Sequence, residues 1–305
     1  MMRRFFILTG AMALALFAVS GPAGSRAAQQ SLEDNRPLSH DEVVALADRA
    51  IVNQHRSDQV LFEYERVEHS VERSGGSNPR ILLDKTYRIV PTGTGTLKLL
   101  LKENGKPVDA EIYRKELSTW EQNLAASTRI PNFPQSDEKF QKKMKDRTEL
   151  IDSMRQAYLA TWLARERSNG RVLEKIQLEP NPQFHPHSLV TEILTHARAV
   201  VWIDPQTAQV ARGEAEIIRD VSFGGGILGK VYRGAHFDME QSEIAPGLWL
   251  PTRYQYDFSA RKFLFIFEQH NVTEVSRFRR LGPPAQALAE VRRELASKAA
   301  FNGDP

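Results

Sequence analysis

The stretch LWLPTRYQYDFSARKFLFIF, residues 248–267, decides the fold class. Leu248, Leu250, Tyr254, Tyr256 and Phe258 fall on one side of an extended chain, and Trp249, Arg253, Gln255 and Asp257 on the other. A period of two marks a half-buried strand. One apolar face and one wet face are what an antiparallel sheet shows when a single side meets the core. Phe263-Leu-Phe-Ile-Phe267 is apolar on both faces and is expected to be covered on both.

The neighbouring segments extend the pattern. Strands are predicted at 171–179, 199–204, 208–222, 231–243, 248–258 and 261–275, with Asp204-Pro-Gln-Thr-Ala208 as a turn. Upstream, Val60, Phe62 and Tyr64 share one strand face, and further strands are predicted at 81–90 and 96–103. Tight turns between consecutive strands make the sheet antiparallel. A first helix starts at Ser39-His40-Asp41-Glu42, a capping box, with Val43, Val44, Leu46, Ala47, Ala50 and Ile51 on its apolar face. Further helices are predicted at 108–126, 136–167 and 188–197, and an Ala-rich terminal helix at about 284–299. Asn169-Gly170 is expected to close the long one. In PNPQFHPH (180–187), three prolines exclude a central strand. The fold class is α+β, a long one-sided antiparallel sheet with helices laid on its apolar side.

The N-terminus has the form of a secretory leader. Arg3 and Arg4 precede an uncharged stretch from Phe5 to Val19, and Ser25-Arg26-Ala27 places small residues where a signal peptidase reads them. The apolar run is short of the about 20 residues of a spanning helix. Cleavage after Ala27 makes 1–27 a signal peptide and leaves 28–305 as a single domain, soluble and exported to the periplasm. Removing Arg3, Arg4 and Arg26 takes the formal charge from +3 to zero. The basic balance is thus a targeting signal and gives no reason to expect nucleic acid as a partner. The chain has no cysteine, so its core needs no disulfide and the leader is not a lipoprotein's.

Several motifs resemble chemistry. SFGGGILGKV (222–231) approaches a phosphate loop, but Val231 stands where Ser or Thr would hold magnesium, and both flanks are strand-like. It reads as a wide hairpin, and no nucleotide or other cofactor is expected. His185-Pro-His187 has the spacing of a metal pair but no third ligand close in sequence, so no metal is assigned. No Gly-x-Ser-x-Gly is present, and no catalytic residue is assigned. Asn271-Val-Thr273 matches a glycosylation sequon.

The segments VVWIDPQTAQVARGEAEI (200–217) and GGILGKVYRGAHFDMEQSEIAPGLWLPTRYQYDFSARKFLF (225–265) resemble bacterial outer-membrane lipoprotein-sorting proteins, distant relatives of the LolA and LolB carriers. NGKPVDAEIYRKEL (104–117) and PNPQFHP (180–186) are similar too. The resemblance implies a curved, incomplete barrel closed by helices, with an apolar space that accepts acyl chains. The helical stretch at about 108–167 is an insertion relative to the carriers, and no residue matches the arginine that governs their lid. On this reading the protein is a non-catalytic lipid or lipoprotein carrier of the cell envelope. Its candidate groove residues are Phe237, Met239, Leu248, Leu250, Tyr254, Tyr256, Phe258, Phe263, Phe265 and Phe267. Two alternatives stand beside it. One is an envelope interaction module with a filled interior and an outer patch around Trp249 and Arg253. The other is an exported metal-dependent enzyme using His185 and His187.

Overall fold

The computed structural model describes residues 36–75, 78–130, 133, 135–223, 229–263, 265–297, 301 and 303. The leader at 1–27 and the glycine loop at 224–228 lie outside the described residues. The chain forms two compact units, one of residues up to Asp58 with Asp146–Phe267, the other of Gln59–Lys145 with Glu268–Pro305. All strand pairs described below are antiparallel.

The first unit holds most of helix α1 (His40–Leu61). The capping box at its start is formed: Ser39 N–H donates to Glu42 Oε2 at 2.8 Å, and Glu42 N–H to Ser39 Oγ at 3.3 Å. In the second unit, β1 (Tyr64–Ser74), β2 (Ile81–Pro91), β3 (Thr96–Glu103) and β4 (Lys106–Pro107) are followed by α2 (Ala110–Ser127). Helix α3 (Glu138–Ala157) then leads into the strands of the first unit. These are β5 (Tyr158–Ser168), β6 (Arg171–Pro180), β7 (Ala197–Asp204), β8 (Gln209–Ile217), β9 (Val221–Phe223), β10 (Gly229–Val231), β11 (His236–Ala245) and β12 (Leu248–Lys262). A short helix α4 (Leu189–Glu192) precedes β7, and β13 (Phe265–Arg280) and α5 (Pro284–Ala296) complete the chain.

The strand order in the first unit is β12–β11–β8–β7–β6–β5, and it does not return on itself into a barrel. Its register shows why it is one-sided. Leu178, Ala199, Ala215, Phe237 and Tyr256 form one rung across five strands. The adjacent rung is Gln177, Val200, Glu214, Asp238 and Gln255. Successive side chains point to opposite faces, so the first rung builds the core and the second meets water. Helix α1 lies on the apolar face: Val43, Leu46 and Ala50 share a buried cluster with Ile176, Ala199, Val201 and Met239. Each large aliphatic side chain buried there is worth about 1.5–3 kcal/mol.

The second unit orders its strands β4–β3–β2–β1–β13. Asp109 caps α2 by accepting from the N–H groups of Glu111 and Ile112. Tyr113, Leu117, Trp120 and Leu124 of α2 and Leu288 and Val291 of α5 share a buried cluster with Leu99 and Leu101 of β3.

Four sequence expectations need correction. The long helix does not run to 167; it ends at Ala157 and β5 begins at Tyr158. Tyr158 and Trp162 are four residues apart, a step that keeps one face in a helix and in a strand alike. Asn169 and Gly170 do not close a helix but join β5 to β6, with φ of 49° and 77°. Positive φ at both central residues is the hairpin turn that Asn-Gly favours. Helix α1 continues through Leu61 and β1 begins at Tyr64, so Val60 and Phe62 are not strand residues. Finally, the 261–275 strand is broken at Phe263, which turns with φ 53°, and β13 starts at Phe265. Three residues of the apolar run are consequently not covered: Phe263, Phe265 and Ile266 are 54%, 78% and 66% exposed.

Candidate functional site

A cavity of about 590 Å³ lies in the first unit between the helices and the sheet. Its roof comes from α1 and α3, its floor from β5, β6, β7 and β8. Val44, Ala47 and Ile51 of α1 are spaced three and four apart and so project from one helix face into it. Ile151 and Met154 come from α3, and Ile176, Val201, Ile203 and Val210 from the sheet. The lining is thus mainly aliphatic, and the volume falls within the range of about 300–1,000 Å³ of small-molecule sites.

The other polar lining residues, His40, Asp48, Arg155, Gln156, Asn181, Gln183, His185 and His187, are exposed or half-buried and so form the solvent-facing rim. The loop of 181–187 is held there by Phe184, which is buried against Leu150, Ala157 and Leu194. The prolines that exclude this segment from the sheet leave it free to form the rim.

Three side-chain contacts join the two roof helices. Asp48 pairs with Arg155 at 2.6 Å and His55 with Asp152 at 2.8 Å. Asp58 accepts from both Nε and Nη2 of Arg147. The partners run in opposite order along α1 and α3, as antiparallel helices require. The first two pairs are open to solvent and contribute little. The third is buried. Burial pushes the Asp58 carboxyl up from its ordinary range, and the Arg147 guanidinium pulls it back only in part.

Gln54, also in the cavity wall, donates from Nε2 to Asp58 Oδ1 at 2.8 Å. Its Oε1 is buried and has no hydrogen-bond partner among the described residues. This acceptor can take a donor from a ligand or a water. Among the described residues no group of three or more His, Cys, Asp or Glu could hold a metal.

None of the ten groove residues named from the sequence is in this cavity's wall among the described residues. Phe237, Met239, Tyr254 and Tyr256 belong to the same buried cluster as the floor residues Ile176 and Val201. Leu250 is fully buried and Leu248 half-buried. Register shifts by one residue opposite Glu240 and Gln241, so Thr252 is an extra residue in β12. Such a bulge interrupts strict alternation, so Leu248 and Leu250 do not continue the face of Tyr254 and Tyr256. Phe258 stacks at the edge of Tyr256 and Phe267, with ring centroids 5.8 and 6.0 Å apart. Phe263 and Phe265 are exposed.

Other motifs also find their places. His185 and His187 reach the cavity rim. The residues after the glycine loop form β10 rather than a helix, so the phosphate-loop geometry is not built. Trp249 is 4% exposed with Arg171 over its ring, and it offers no outer patch. Asn271 and Thr273 are buried in β13, with Thr273 Oγ1 bonded to Asn271 Oδ1, so the sequon is not presented. The cavity wall was visible in the sequence only as apolar stripes on α1 and α3. Those stripes read as core because nothing local says how much of a stripe packing consumes.

No protein-family model and no curated protein matches the chain. Among solved structures it is similar to an outer membrane lipoprotein-sorting protein domain from Vibrio parahaemolyticus, at 8% identity and TM-score 0.33 over 79% of this chain and 93% of that one. It is similar to a DUF1329 family protein from Desulfovibrio piger at 13% identity and TM-score 0.29, over 79% and 92% of the two chains. It is likewise similar to a LolA superfamily protein from Nitrosomonas europaea, at 8% identity and TM-score 0.29 over 79% and 93%.

Proposed function

We propose that this chain is an exported, non-catalytic binding protein that holds an acyl chain of a lipid or lipoprotein in the cavity of its first unit. The observation that carries this reading is the cavity wall itself: aliphatic residues from two helices and four strands, with Gln54 as its one buried amide side chain among the described residues. An acyl chain needs no reactive group from its site. Each CH₂ taken out of water contributes about 0.8 kcal/mol. The leader reading places the protein in the periplasm, and the resemblance of residues 200–265 to lipoprotein-sorting proteins agrees with a carrier role. Phe237, Met239, Tyr254 and Tyr256 are kept as a far wall for a longer chain, because they share a buried cluster with Ile176 and Val201. The enzyme alternative has no assembled group of ligands behind it among the described residues.

The test is uptake of a fluorescent fatty acid by the purified protein, with Ala47→Trp as the blocking variant. Ala47 lines the cavity and is only partly buried, so the larger ring can enter the space without entering the core. Saturable uptake, weakened at least about tenfold by Ala47→Trp, is expected. Uptake that Ala47→Trp leaves unchanged would remove the ligand from this cavity. No uptake at all, with a bare polypeptide mass, would end the carrier reading.

A further inference from the structure

The cavity wall carries a polar group that a plain acyl chain leaves unanswered. The lining residues of α1 run from His40, which is exposed, to Gln54, which is 3% exposed. Gln54 therefore marks the inner end, about 9 Å along the helix axis from Asp48 at the rim. Its amide cannot turn over. Nε2 donates to Asp58 Oδ1 at 2.8 Å, and a carboxylate held by Arg147 only accepts. Asp58 lies one turn further along α1 and outside the lining. With Nε2 committed to it, Oε1 is left on the side of Ala50 and Ile51, one turn earlier in the lining. That oxygen is the acceptor without a partner among the described residues.

Filling the cavity with a plain hydrocarbon chain displaces water and leaves this acceptor dry, which weakens the complex. A trapped water does not repair the loss. It needs about two to four polar partners, and the side chains of Ala50, Ile51 and Ile151 supply none. A hydroxyl carried on the chain itself supplies the missing donor at no such cost. A site with a buried hydrogen-bonding group rejects the analogue that lacks the matching hydroxyl.

We infer that the cavity selects acyl chains bearing a hydroxyl partway along their length, with Gln54 Oε1 accepting from that hydroxyl. The inference rests on the acyl-binding reading above and names the chain that site prefers. The polar head of the ligand stays at the rim beside Arg155, His185 and His187, and the depth of Gln54 sets the hydroxyl well away from the head. Gln54 is thus a specificity residue, and no reaction is asked of it.

Ricinoleic acid and oleic acid differ by one mid-chain hydroxyl and make the test. Their affinities are measured by displacement of the fluorescent fatty acid from the purified protein. The parent should bind ricinoleic acid about tenfold more tightly than oleic acid. Gln54→Leu should bring the two affinities within about threefold, raising that for oleic acid and lowering that for ricinoleic acid. A general loosening of the roof would weaken both, so shifts in opposite directions separate recognition from structure. Gln54→Met, closer in length to the parent side chain, serves the same purpose where Gln54→Leu does not fold. Tyr158→Phe is the control, because its hydroxyl is another polar group on a buried lining residue, and it should keep the preference. Equal affinities in the parent would overturn the hydroxyl selection and leave the acyl-binding reading standing. Binding of neither acid would end both. A preference lost in Tyr158→Phe and kept in the Gln54 variants would overturn the assignment to Gln54.

Discussion

Removing Arg147 should expose the energetics of the cavity roof. Asp58 is 6% exposed, and Arg147 supplies two of its hydrogen bonds and its compensating charge. Arg147→Met leaves a buried carboxylate whose remaining donor among the described residues is the Gln54 amide. Breaking one side of a buried pair costs about 3–5 kcal/mol. For a chain of this size that corresponds to a fall of about 6–20 °C in melting temperature. The double variant Asp58→Leu with Arg147→Met removes both charges and should recover most of the loss, since apolar replacement of a buried pair is often neutral. The pH dependence has a defined sign. Burial already holds the Asp58 carboxyl above its ordinary value, and loss of Arg147 removes the larger part of the opposing pull. The folded form then binds a proton that the unfolded chain does not. The deficit of Arg147→Met is therefore largest at neutral pH and shrinks as the pH falls toward the ordinary carboxyl range near about 4. Thermal melts of the parent, single and double variants across pH decide the matter. A single variant within about 2 °C of the parent, or a double variant no better than the single, refutes the reasoning.

Three further outcomes are expected. Glu68 is buried in the second unit; burial alone would raise its carboxyl, but the Arg66 and Lys98 charges more than offset this and hold it below its ordinary value. Its stabilising contribution is present above the unfolded carboxyl value, near about 4.3, and is lost as the pH falls below it, so Glu68→Gln should flatten the acid limb of the stability curve; parallel curves for parent and variant would contradict this. Gly170→Ala should cost about 1 kcal/mol in urea unfolding, purely from its φ of 77°, because no atom lies within 4 Å of the added methyl. Leu117→Ala, at a side chain 1% exposed between α2 and β3, should cost about 2–5 kcal/mol, and a loss below 1 would show that the α2 face repacks.

Much of the architecture is legible from local pattern. The capping box at Ser39, the strands at 81–90 and 96–103 and the one-sided rungs of β11 and β12 follow from residue spacing and from what turns require. The helix-to-strand change at Tyr158 was not legible, because a step of four satisfies both periods. Only pairing with β6 selects the strand, and that partner lies beyond the Asn169-Gly170 turn. The exposed tip at Phe263 was hidden for a related reason. A continuous apolar run reads as a doubly covered strand until the backbone turns within it.

The candidate site divides in the same way. The apolar faces of α1 and α3 are written in their 3.6-residue spacing, and the rim loop of 181–187 in its prolines. Sequence alone thus determined which residues seek burial and where the chain must turn. Tertiary structure decided how much space remains between the buried faces. That remainder depends on the separation of α1 and α3 from the sheet and on side-chain contacts linking residues about a hundred positions apart. A cavity is a difference between filled and enclosed volume, and no local pattern of residues encodes a difference of that kind.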